Sequence, residues 1–582
     1  MPATSQIGLR PSKSKKTRAK PWIAADFETI TDPDDARVWA WGAAWIEHPN
    51  DVVMDNTLEG FIEYISMQDS ITFFHNLRFD GTFILDHILR LGYVQIQGKA
   101  KPKPGEFKAL ISHNNKFYSM TIAWENGAVT EFRDSAKKFP GMSVAAIART
   151  FGMDEGKGEI DYHEYRAPGH VLTHEEQDYL RRDVSIIAHA LATTQNAGMT
   201  RLTVGSDAMF EYKLSIGDDV FDKRFPQLSY YLDAELRRAY RGGFTYADPR
   251  FQMHITGSGH VLDVNSLYPY VMYEMLLPYG DPEYVPGKVE PTKSHPLTIF
   301  SVTLMAKIKP EHIPCIQIKG NSQYMPTEYL SEISEPTTLM MTNVDFDLYN
   351  DHYDLDILEY NGGWRFKAAV GMFDEYIEKW SEIKANTKGG ERLLAKYNLN
   401  NLYGKFGTNP NMQSKTVELV DNKVKLIANE PETANPVYIP IAVFVTSYGR
   451  DLTIRAAQAN YATFAYADTD SLHLLQDDTP TDIDVDPDRM GAWKREYSFD
   501  SALYVRAKLY LEHRPDKEPW CDDPTCNLRH DYENAFAGLP DRVSGTLTFD
   551  DITDGAVFHG KLIPEIVPGG VVLKDVKYEL KL

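Results

Sequence analysis

Two acidic segments lie 207 positions apart, and only a tertiary fold can bring them together. Asp263 lies in the short strand-like run Val261 to Val264 and opens Asp263-Val264-Asn265-Ser266-Leu267-Tyr268-Pro269, which reads as a strand end leading into a helix. Asp468-Thr469-Asp470 falls at a tight turn within Phe464 to Leu474, which reads as a hairpin. A carboxylate from a strand end and another from a hairpin turn are a common way to hold a Mg2+–triphosphate. Between them, Phe373 to Phe406 reads as a strong helical block. Within it Arg392, Lys396, Asn400 and Tyr403 recur at intervals of 4, 4 and 3, so they share one face. Two cations one turn apart suit the β- and γ-phosphates of a nucleotide, and Tyr403, followed by Gly404, offers a flat surface to a base pair. A lone D-T-D is more often structural and a lone basic helix face is usually solvated. Their combination points to nucleotide chemistry.

A second set of carboxylates precedes the first. Trp22 to Ala25 leads into Asp26-Phe27-Glu28-Thr29, and residues two apart on a strand face the same way, so Asp26 and Glu28 point at one spot. Asp80, in His75-Asn76-Leu77-Arg78-Phe79-Asp80, and Asp183, in the helical segment Tyr179 to Asp183, complete a set of four. Four carboxylates can hold two Mg2+ ions roughly 3.5–4 Å apart, one activating a water and one supporting the leaving oxygen of a phosphodiester cut. Tyr179, one helical turn before Asp183, is placed to orient the water. A bare D-x-E is usually structural; the accompanying strand and helix give it weight. Val38 to Ile46 and Ile71 to Phe74 read as strands, and Val144 to Phe151 and Glu175 to Thr194 as helices, which predicts an α/β unit over the first ~200 residues.

A chain of 582 residues implies roughly three to five domains. Asp+Glu 83 against Lys+Arg 61 gives a net charge of −22, which taken alone points away from nucleic acid. With three cysteines there is no disulfide scaffold, and a reduced cytoplasmic setting follows. The most apolar stretch, Val437 to Tyr448, is too short to span a bilayer and contains Pro440, so no membrane partner is expected. The N-terminus lacks the apolar core of a signal peptide. It is instead a basic arm with Arg10, Lys13, Lys15, Lys16, Arg18 and Lys20, read either as a solvated flexible tail or as a contact for nucleic acid.

Two further basic features extend the pattern. Tyr240-Arg241-Gly242-Gly243 puts glycines where backbone can approach a DNA phosphate, and Arg506-Ala507-Lys508-Leu509-Tyr510 alternates as on a strand, so its three functional side chains are expected to face one way. Residues 275–371 carry Pro, Gly and Tyr punctuation with short strands, as an insertion would. The polar block 411–434 reads as a possible β-hairpin around Val417 to Ile427, and the last ~45 residues alternate like strands. His513, Cys521, Cys526 and His530 cluster in sequence; they are either a Zn2+ site with an unusually wide Cys-x4-Cys gap or a plain surface loop.

Taken in order, these segments resemble the family B DNA polymerases, specifically the protein-primed polymerases of phi29-type phages, from about Ala24 to the C-terminus. The resemblance implies an α/β and α+β multidomain chain, an RNase H-like 3′–5′ exonuclease domain followed by a right-hand polymerase of palm, fingers and thumb with two insertions. The implied boundaries are a flexible arm at 1–22, the exonuclease at 23–203, and palm at 204–274 and 434–538. A terminal-protein-contacting insertion is expected at 275–371, fingers at 372–410, a strand-displacement and processivity insertion at 411–433 and the thumb at 539–582.

The resemblance further implies roles for individual residues. Asp26, Glu28, Asp80 and Asp183 become exonuclease metal ligands assisted by Lys157 and Tyr179. Thr29, His75, Asn76, Phe79, Ser135 and Tyr162 would hold single-stranded DNA, with Phe79 stacking on a base. Asp263, Val264 and Asp470 would bind the polymerase metals, supported by Asp468. Lys384, Arg392 and Lys396 would contact the triphosphate, Tyr268 would exclude a ribose 2′-hydroxyl, and Asn400 and Tyr403 would line the nascent pair. Tyr240, Arg241, Gly242, Gly243 and Arg506 would contact DNA, and Lys508 and Tyr510 would position the primer end.

The expected cofactor is Mg2+, two per site, with Mn2+ able to substitute. The expected partners are template-primer and single-stranded DNA, deoxynucleoside triphosphates and a terminal protein acting as primer. The chain is expected as a monomer or a heterodimer with that protein, phage-encoded, in the cytoplasm of a bacterial host. The sequence departs from the family at Ala136, where relatives often have Leu, at Arg392, where a Lys is usual, at Ala535 to Gly538, which lacks a Lys, and in the extra basic arm. On this reading the −22 belongs to the metal sites and the outer surface, and the DNA channel contrasts with the exterior.

Overall fold

The computed structural model describes residues 20–153, 160–161, 164–318, 328–476, 479–517 and 528–582. Lys157, Tyr162, Cys521, Cys526 and the basic arm as far as Arg18 therefore lie outside the described residues.

Apolar runs that are buried on both faces build the centre of the first sheet. Its strands are β1 (Trp22–Thr29), β2 (Val38–Trp45), β3 (Val53–Asp55), β4 (Ser70–Phe74), β5 (Val94–Gln95), β6 (Glu106–Ile111), β7 (Phe117–Ala123) and β8 (Val129–Asp134). They lie in the order β3-β2-β1-β4-β8-β7-β6-β5. β1 runs antiparallel to β2 and parallel to β4, and β4 parallel to β8. Helices α1 (Leu58–Ser66) and α2 (Leu77–Arg90) cover an aromatic face containing Phe27, Trp41, Phe61 and Phe74. Helices α3 (Val144–Phe151) and α4 (His174–Asn196) cover the other, with Trp22, Trp39, Leu180 and Val184. Burying each such side chain contributes roughly 1.5–3 kcal/mol, so the two faces fix β1 from both sides. α4 begins at a capping box in which Thr173 and Glu176 satisfy each other's backbone donors.

The rest of the chain starts with α5 (Val204–Ile216), α6 (Asp218–Arg224) and α7 (Tyr230–Leu236). Then come β9 (Thr245–Ala247), β10 (Ile255–Thr256), β11 (Gly259–Val264), α8 (Leu267–Glu274), β12 (Leu277–Val285) and β13 (Leu297–Ile308). The short pair β14 (Gln317–Ile318) and β15 (Glu328–Tyr329) precedes β16 (Glu332–Thr342), α9 (Asn343–His352) and β17 (Tyr353–Ala369). Helices α10 (Asp374–Asn386) and α11 (Gly389–Phe406) follow, then β18 (Asn411–Met412), β19 (Lys415–Val420), β20 (Lys423–Ala428) and β21 (Glu432–Thr433). After α12 (Ile439–Ala459) come β22 (Phe464–Asp468), β23 (Ser471–Leu475), β24 (Trp493–Phe499), β25 (Ser501–Arg506), β26 (Leu509–His513) and β27 (Tyr532–Phe536). The chain ends with α13 (Asp541–Ser544) and the hairpin β28 (Val557–Val567) and β29 (Gly570–Glu579). One sheet has the order β24-β11-β23-β22-β9, a second β10-β25-β26-β27 and a third β12-β17-β13-β16. α12 crosses the main core almost wholly buried, with Pro440 in its first turn. Among the described residues no helix is long and apolar enough to cross a membrane.

Three sequence expectations change here. Residues 275–371 hold long strands rather than short ones, 12 residues in β13 and 17 in β17, together with α9. Gly362, at φ 88°, and Gly363 lie in mid-strand beside a register shift, so the glycines mark a bulge rather than a strand end. The block Phe373 to Phe406 is two helices broken at Thr387 and Lys388. Arg506 to Tyr510 is a hairpin turn: β25 ends at Arg506, Lys508 takes a φ of 61°, and Tyr510 lies on β26. The three side chains therefore do not share one strand face.

The first sheet is tied to α5 by a buried ion pair. Lys138 donates to the carboxylate of Asp207 and to the Met199 carbonyl at 3.0 Å, and the other Asp207 oxygen accepts from Arg201 N at 2.7 Å. Burial pushes the Lys138 amine down to about 8 despite the pull of Asp207, so the pair costs solvation and holds by geometry. Lys138→Met strands the Asp207 charge and is expected to destabilise the fold by about 3–5 kcal/mol. Adding Asp207→Leu should recover most of the loss in thermal melts; a double variant as unstable as the single would contradict this account.

Candidate active sites

The first site forms where α2 and α4 meet the centre of β1. Asp26 pairs across β1–β2 with Gly42, and a β-carbon on Gly42 would lie 2.9 Å from the Leu180 side chain. Glycine there lets α4 lie close over β1, which brings Asp183 towards Asp26 and Glu28. α4 is clamped at its start by Glu176, which accepts from Arg166 at 2.8 Å and from the Thr173 backbone at 2.9 Å and lies 2.7 Å from the His170 ring. α2 is anchored through Asp134, whose Oδ1 accepts from the backbone of Asn76, itself in a left-handed conformation at φ 76°, at 3.0 Å.

The electrostatics are those of crowded carboxylates. Burial, then the charges of Asp80, Glu28 and Asp183, push Asp26 well above the carboxylate range. Burial, then Asp183 and Asp80, push Glu28 up to about 8, and burial takes Asp80 to about 8. Burial raises Asp183 to about 6, against a hydrogen bond from Tyr179. Among the described residues no three His, Cys, Asp or Glu side chains are closed into a single ligand sphere. The donor chemistry nevertheless fits: hard carboxylate oxygens that repel one another are what a divalent cation compensates.

Around this site the other expected contacts divide. Phe79 is half-buried and packs edge-on to Phe83, with part of its ring reachable. His75 spans Ser135 Oγ at 3.0 Å and the Met142 carbonyl at 2.8 Å, so both ring nitrogens are engaged within the protein. Thr29 and Ser135 are buried.

The second site lies on the five-stranded sheet. Asp263 is the last residue but one of β11, where it faces Ser471 of β23 on one side and Lys494 of β24 on the other. Val264 N donates to the Asp470 carbonyl at 2.8 Å, which locks the hairpin turn against β11. Thr469 sits at φ 65° with its N–H on the Phe244 carbonyl at 2.6 Å. α10 and α11 stand opposite, and the expected stripe is present: Arg392, Lys396 and Asn400 are exposed while Ala395, Asn398, Leu399 and Leu402 are buried on the other side. Lys384 donates to Ser266 Oγ at 2.8 Å, and Arg392 to the Lys384 carbonyl. Tyr268 and Tyr403 pack with ring centroids 4.2 Å apart. Asp263, Val264, Tyr268, Lys384, Arg392, Lys396, Asn400, Tyr403 and Asp470 all line one cavity of about 650 Å3.

This cavity has an acidic wall and a basic wall. Burial, then Asp470 and Glu496, push Asp263 up to about 7, while Lys494 and Lys396 pull it down. Burial chiefly raises Asp470. Burial, then Arg392, Lys396 and Lys494, lower Lys384. A polyanion carrying a divalent cation complements both walls. Lys494, 3.6 Å from Asp263 and 3.2 Å from Glu496, and Glu496 itself escaped the sequence reading; only the placing of β24 beside β11 brings them to the cavity.

Two basic features are corrected. The Arg241 side chain is buried and donates to the Met340 carbonyl at 2.9 Å, so it holds its loop rather than reaching outward. A β-carbon on Gly243 would lie 2.7 Å from Thr469, so this glycine admits the hairpin turn, while Gly242 faces open space. From beneath, Arg450 donates to the carbonyls of Arg241 and Gly242 at 3.0 and 2.9 Å and to Asp345 at 2.7 Å. Tyr240 packs under Gly407 of the α11 end. Arg506 turns away to the Lys581 carbonyl, whereas Lys508 closes on the Asp468 carboxylate and Tyr510 packs on Tyr466 at 4.9 Å. His513 lies 2.8 Å from Asp500 and 3.4 Å from Asp531; the cysteines grouped with it lie outside the described residues.

Residues 158–487 match the family described as DNA polymerase type B, organellar and viral. The DNA polymerase of Bacillus phage phi29 is 39% identical over 572 residues, covering 96% of this chain and 98% of that protein. The structure of phi29 DNA polymerase with primer-template DNA and incoming nucleotide substrates superposes with a TM-score of 0.88 at 38% identity, covering 97% of this chain and 100% of that one. That of the same polymerase with single-stranded DNA gives 0.88 over the same share.

Proposed function

The chain belongs to the viral family B DNA polymerases of the phi29 type, and from that premise we propose that it replicates a linear phage-type genome by protein-primed, processive, strand-displacing synthesis with 3′–5′ proofreading. It is a DNA-directed DNA polymerase with an exonuclease domain followed by palm, fingers and thumb, and such enzymes use divalent metal ions. The observation that carries the reading is the single cavity in which Asp263 and Asp470 face Lys384, Arg392 and Lys396.

In the proposed mechanism the primer 3′-hydroxyl attacks the α-phosphorus of a nucleotide and pyrophosphate leaves. Lys384, Arg392 and Lys396 hold the triphosphate and offset its charge, Asn400 and Tyr403 line the new pair, and Lys508 and Tyr510 set the primer end. Asp263 and Asp470, with Asp468 in support and the Val264 backbone beside them, would hold Mg2+ or, in its place, Mn2+. When bound, two such ions supply Lewis-acid stabilisation of the developing charge. In the other site Asp26, Glu28, Asp80 and Asp183 would take the same ions, with Lys157 assisting and Tyr179 orienting the attacking water. Thr29, His75, Asn76, Phe79 and Ser135 would shape the single-strand path, with Phe79 offering the stacking ring and Tyr162, outside the described residues, expected to join them. Gly242 gives the open stretch of backbone a DNA phosphate could approach, Gly243 keeps that loop against the Thr469 turn, and Tyr240 keeps it against the end of α11.

Support for strand displacement comes from the β19–β20 hairpin. It is pinned to β5 by Val417 N on Gln95 Oε1 and to the end of α2 by Arg90 on Asn422, both at 2.6 Å, and β20 packs against β28. That arrangement would enclose DNA and keep the displaced strand apart. A small basic terminal protein would provide the first hydroxyl, with 275–371 as its docking region, in the cytoplasm of a bacterial host. Transfer of labelled deoxyadenylate to such a protein tests the priming step; extension of ordinary primers with no transfer would restrict the enzyme to elongation.

Tyr268 gives a separate prediction. Its ring lies against Tyr403 and within 3.0 Å of where a Gly449 β-carbon would be, so it has little room to yield to an added hydroxyl. Tyr268→Val should raise ribonucleotide incorporation by on the order of 10²-fold relative to deoxynucleotides. Unchanged sugar selectivity would remove this role.

A further inference from the structure

The sheet that carries Lys508 and Tyr510 meets the sheet that carries Asp263, Asp468 and Asp470 around a buried carboxylate, Glu512 on β26. Its Oε1 accepts from the Tyr504 hydroxyl at 2.7 Å and lies 2.6 Å from His473 Nδ1; its Oε2 accepts from the Tyr497 hydroxyl at 2.9 Å. Tyr504 lies on β25, Tyr497 on β24 and His473 on β23, three residues beyond Asp470. One side chain thus joins strands of both sheets. Burial, then the charge of Glu512, push the hydroxyls of Tyr497, Tyr504 and Tyr510 upward, so all three stay protonated.

Above Glu512 the contacts continue to the sites themselves. Tyr466 stacks on Tyr504 at 5.7 Å with ring planes 10° apart, and Tyr510 packs 4.9 Å from Tyr466 and 5.0 Å from His473. The Tyr466 hydroxyl accepts from Lys508 N at 3.0 Å, at the residue whose φ is 61°. The Lys508 amine closes on Asp468. A left-handed lysine is held only if its surroundings fix it.

We propose that Glu512 is a positioning residue for polymerisation: through His473, Tyr504 and the tyrosine stack it fixes the register between the Lys508 turn and the hairpin bearing Asp468 and Asp470. This rests on placing Lys508 at the primer end, and Lys508→Ala checks that placement on its own. Normal extension by that variant would fault the placement, not the register.

The test uses the full-length enzyme and two assays, extension of a primer-template and hydrolysis of a single-stranded oligonucleotide. Glu512→Leu removes the partner that Tyr504, Tyr497 and His473 share. It should cut extension by on the order of 10- to 100-fold, with a raised KM for primer-template and hydrolysis within about twofold of wild type. Glu512→Gln keeps an acceptor for Tyr504, and its amide can donate to the Tyr497 oxygen, so extension should return to within about threefold of wild type. Tyr504→Phe removes a single donor and keeps the ring; it should lower extension about threefold or more with hydrolysis unchanged. Unchanged extension in a folded Glu512→Leu, equal loss of both activities, or a Gln variant no better than Leu would each overturn the proposal. If Glu512→Leu does not fold, unchanged extension in Tyr504→Phe overturns it.

Discussion

Asp470→Asn is expected to lower primer extension by about 10³-fold or more while hydrolysis of single-stranded DNA continues at the wild-type rate. The amide keeps the volume and the backbone contact to Val264 but gives up the anionic oxygen that a divalent ion needs. Asp470 lies in the cavity faced by α10 and α11, whereas the carboxylates of the first site sit on β1 of a separate sheet and on the helices α2 and α4 that cover it. The two activities should therefore part cleanly. Extension that persists in this variant would sink the assignment of the second site, and joint loss of both activities would mean that the fold had been damaged.

Asp26→Asn should do the opposite to the other site, and should also make the protein more stable. Asp26, Glu28 and Asp80 all hold protons more tightly in the folded chain than in the unfolded one, because burial and mutual repulsion disfavour their charges. The sign follows from linkage: without metal, the stability these carboxylates contribute is greatest at low pH and is lost as the pH rises from about 4, the unfolded value, towards the folded values of about 8. Each independently titrating group contributes up to about 1.4 kcal/mol per pH unit across that window. Removing one charge relieves its neighbours, so Asp26→Asn should raise the melting temperature of chelator-treated protein by a few degrees near pH 8 and by less near pH 5. Hydrolysis should fall by on the order of 10³-fold, with extension retained. A variant less stable than wild type at pH 8 would contradict the repulsion account. On this account the carboxylate cluster costs folding free energy when no metal is bound, a common trade at sites of this kind.

Elements with a strong local period were legible in the sequence. β1, β2, α3, α4 and the 464–474 hairpin lie where periodicity placed them, and the intervals in α11 correctly put Arg392, Lys396, Asn400 and Tyr403 on one cavity wall. What failed was decided by tertiary contact. Alternation reads the same along one strand and across a hairpin, and the turn after Arg506 carries no Gly or Asn to mark it. Gly243 looked like an approach point for DNA because sequence cannot show that Thr469 occupies the space. Lys494 and Glu496 belong to no recognisable pattern and reach the site because β24 lies beside β11. The net charge of −22 pointed away from DNA because a sum hides position: the basic wall consists of a few cations opposite carboxylates.

The Lys138–Asp207 pair has a practical consequence for anyone wanting this enzyme without its nuclease. The first 203 residues cannot simply be cut away. Truncation would leave Asp207 without its partner, uncover the Leu394 side chain that packs among exonuclease residues, and strip Phe151 from Gly390. The two catalytic halves share a seam, and a nuclease-free version has to be made by substitution within the intact chain.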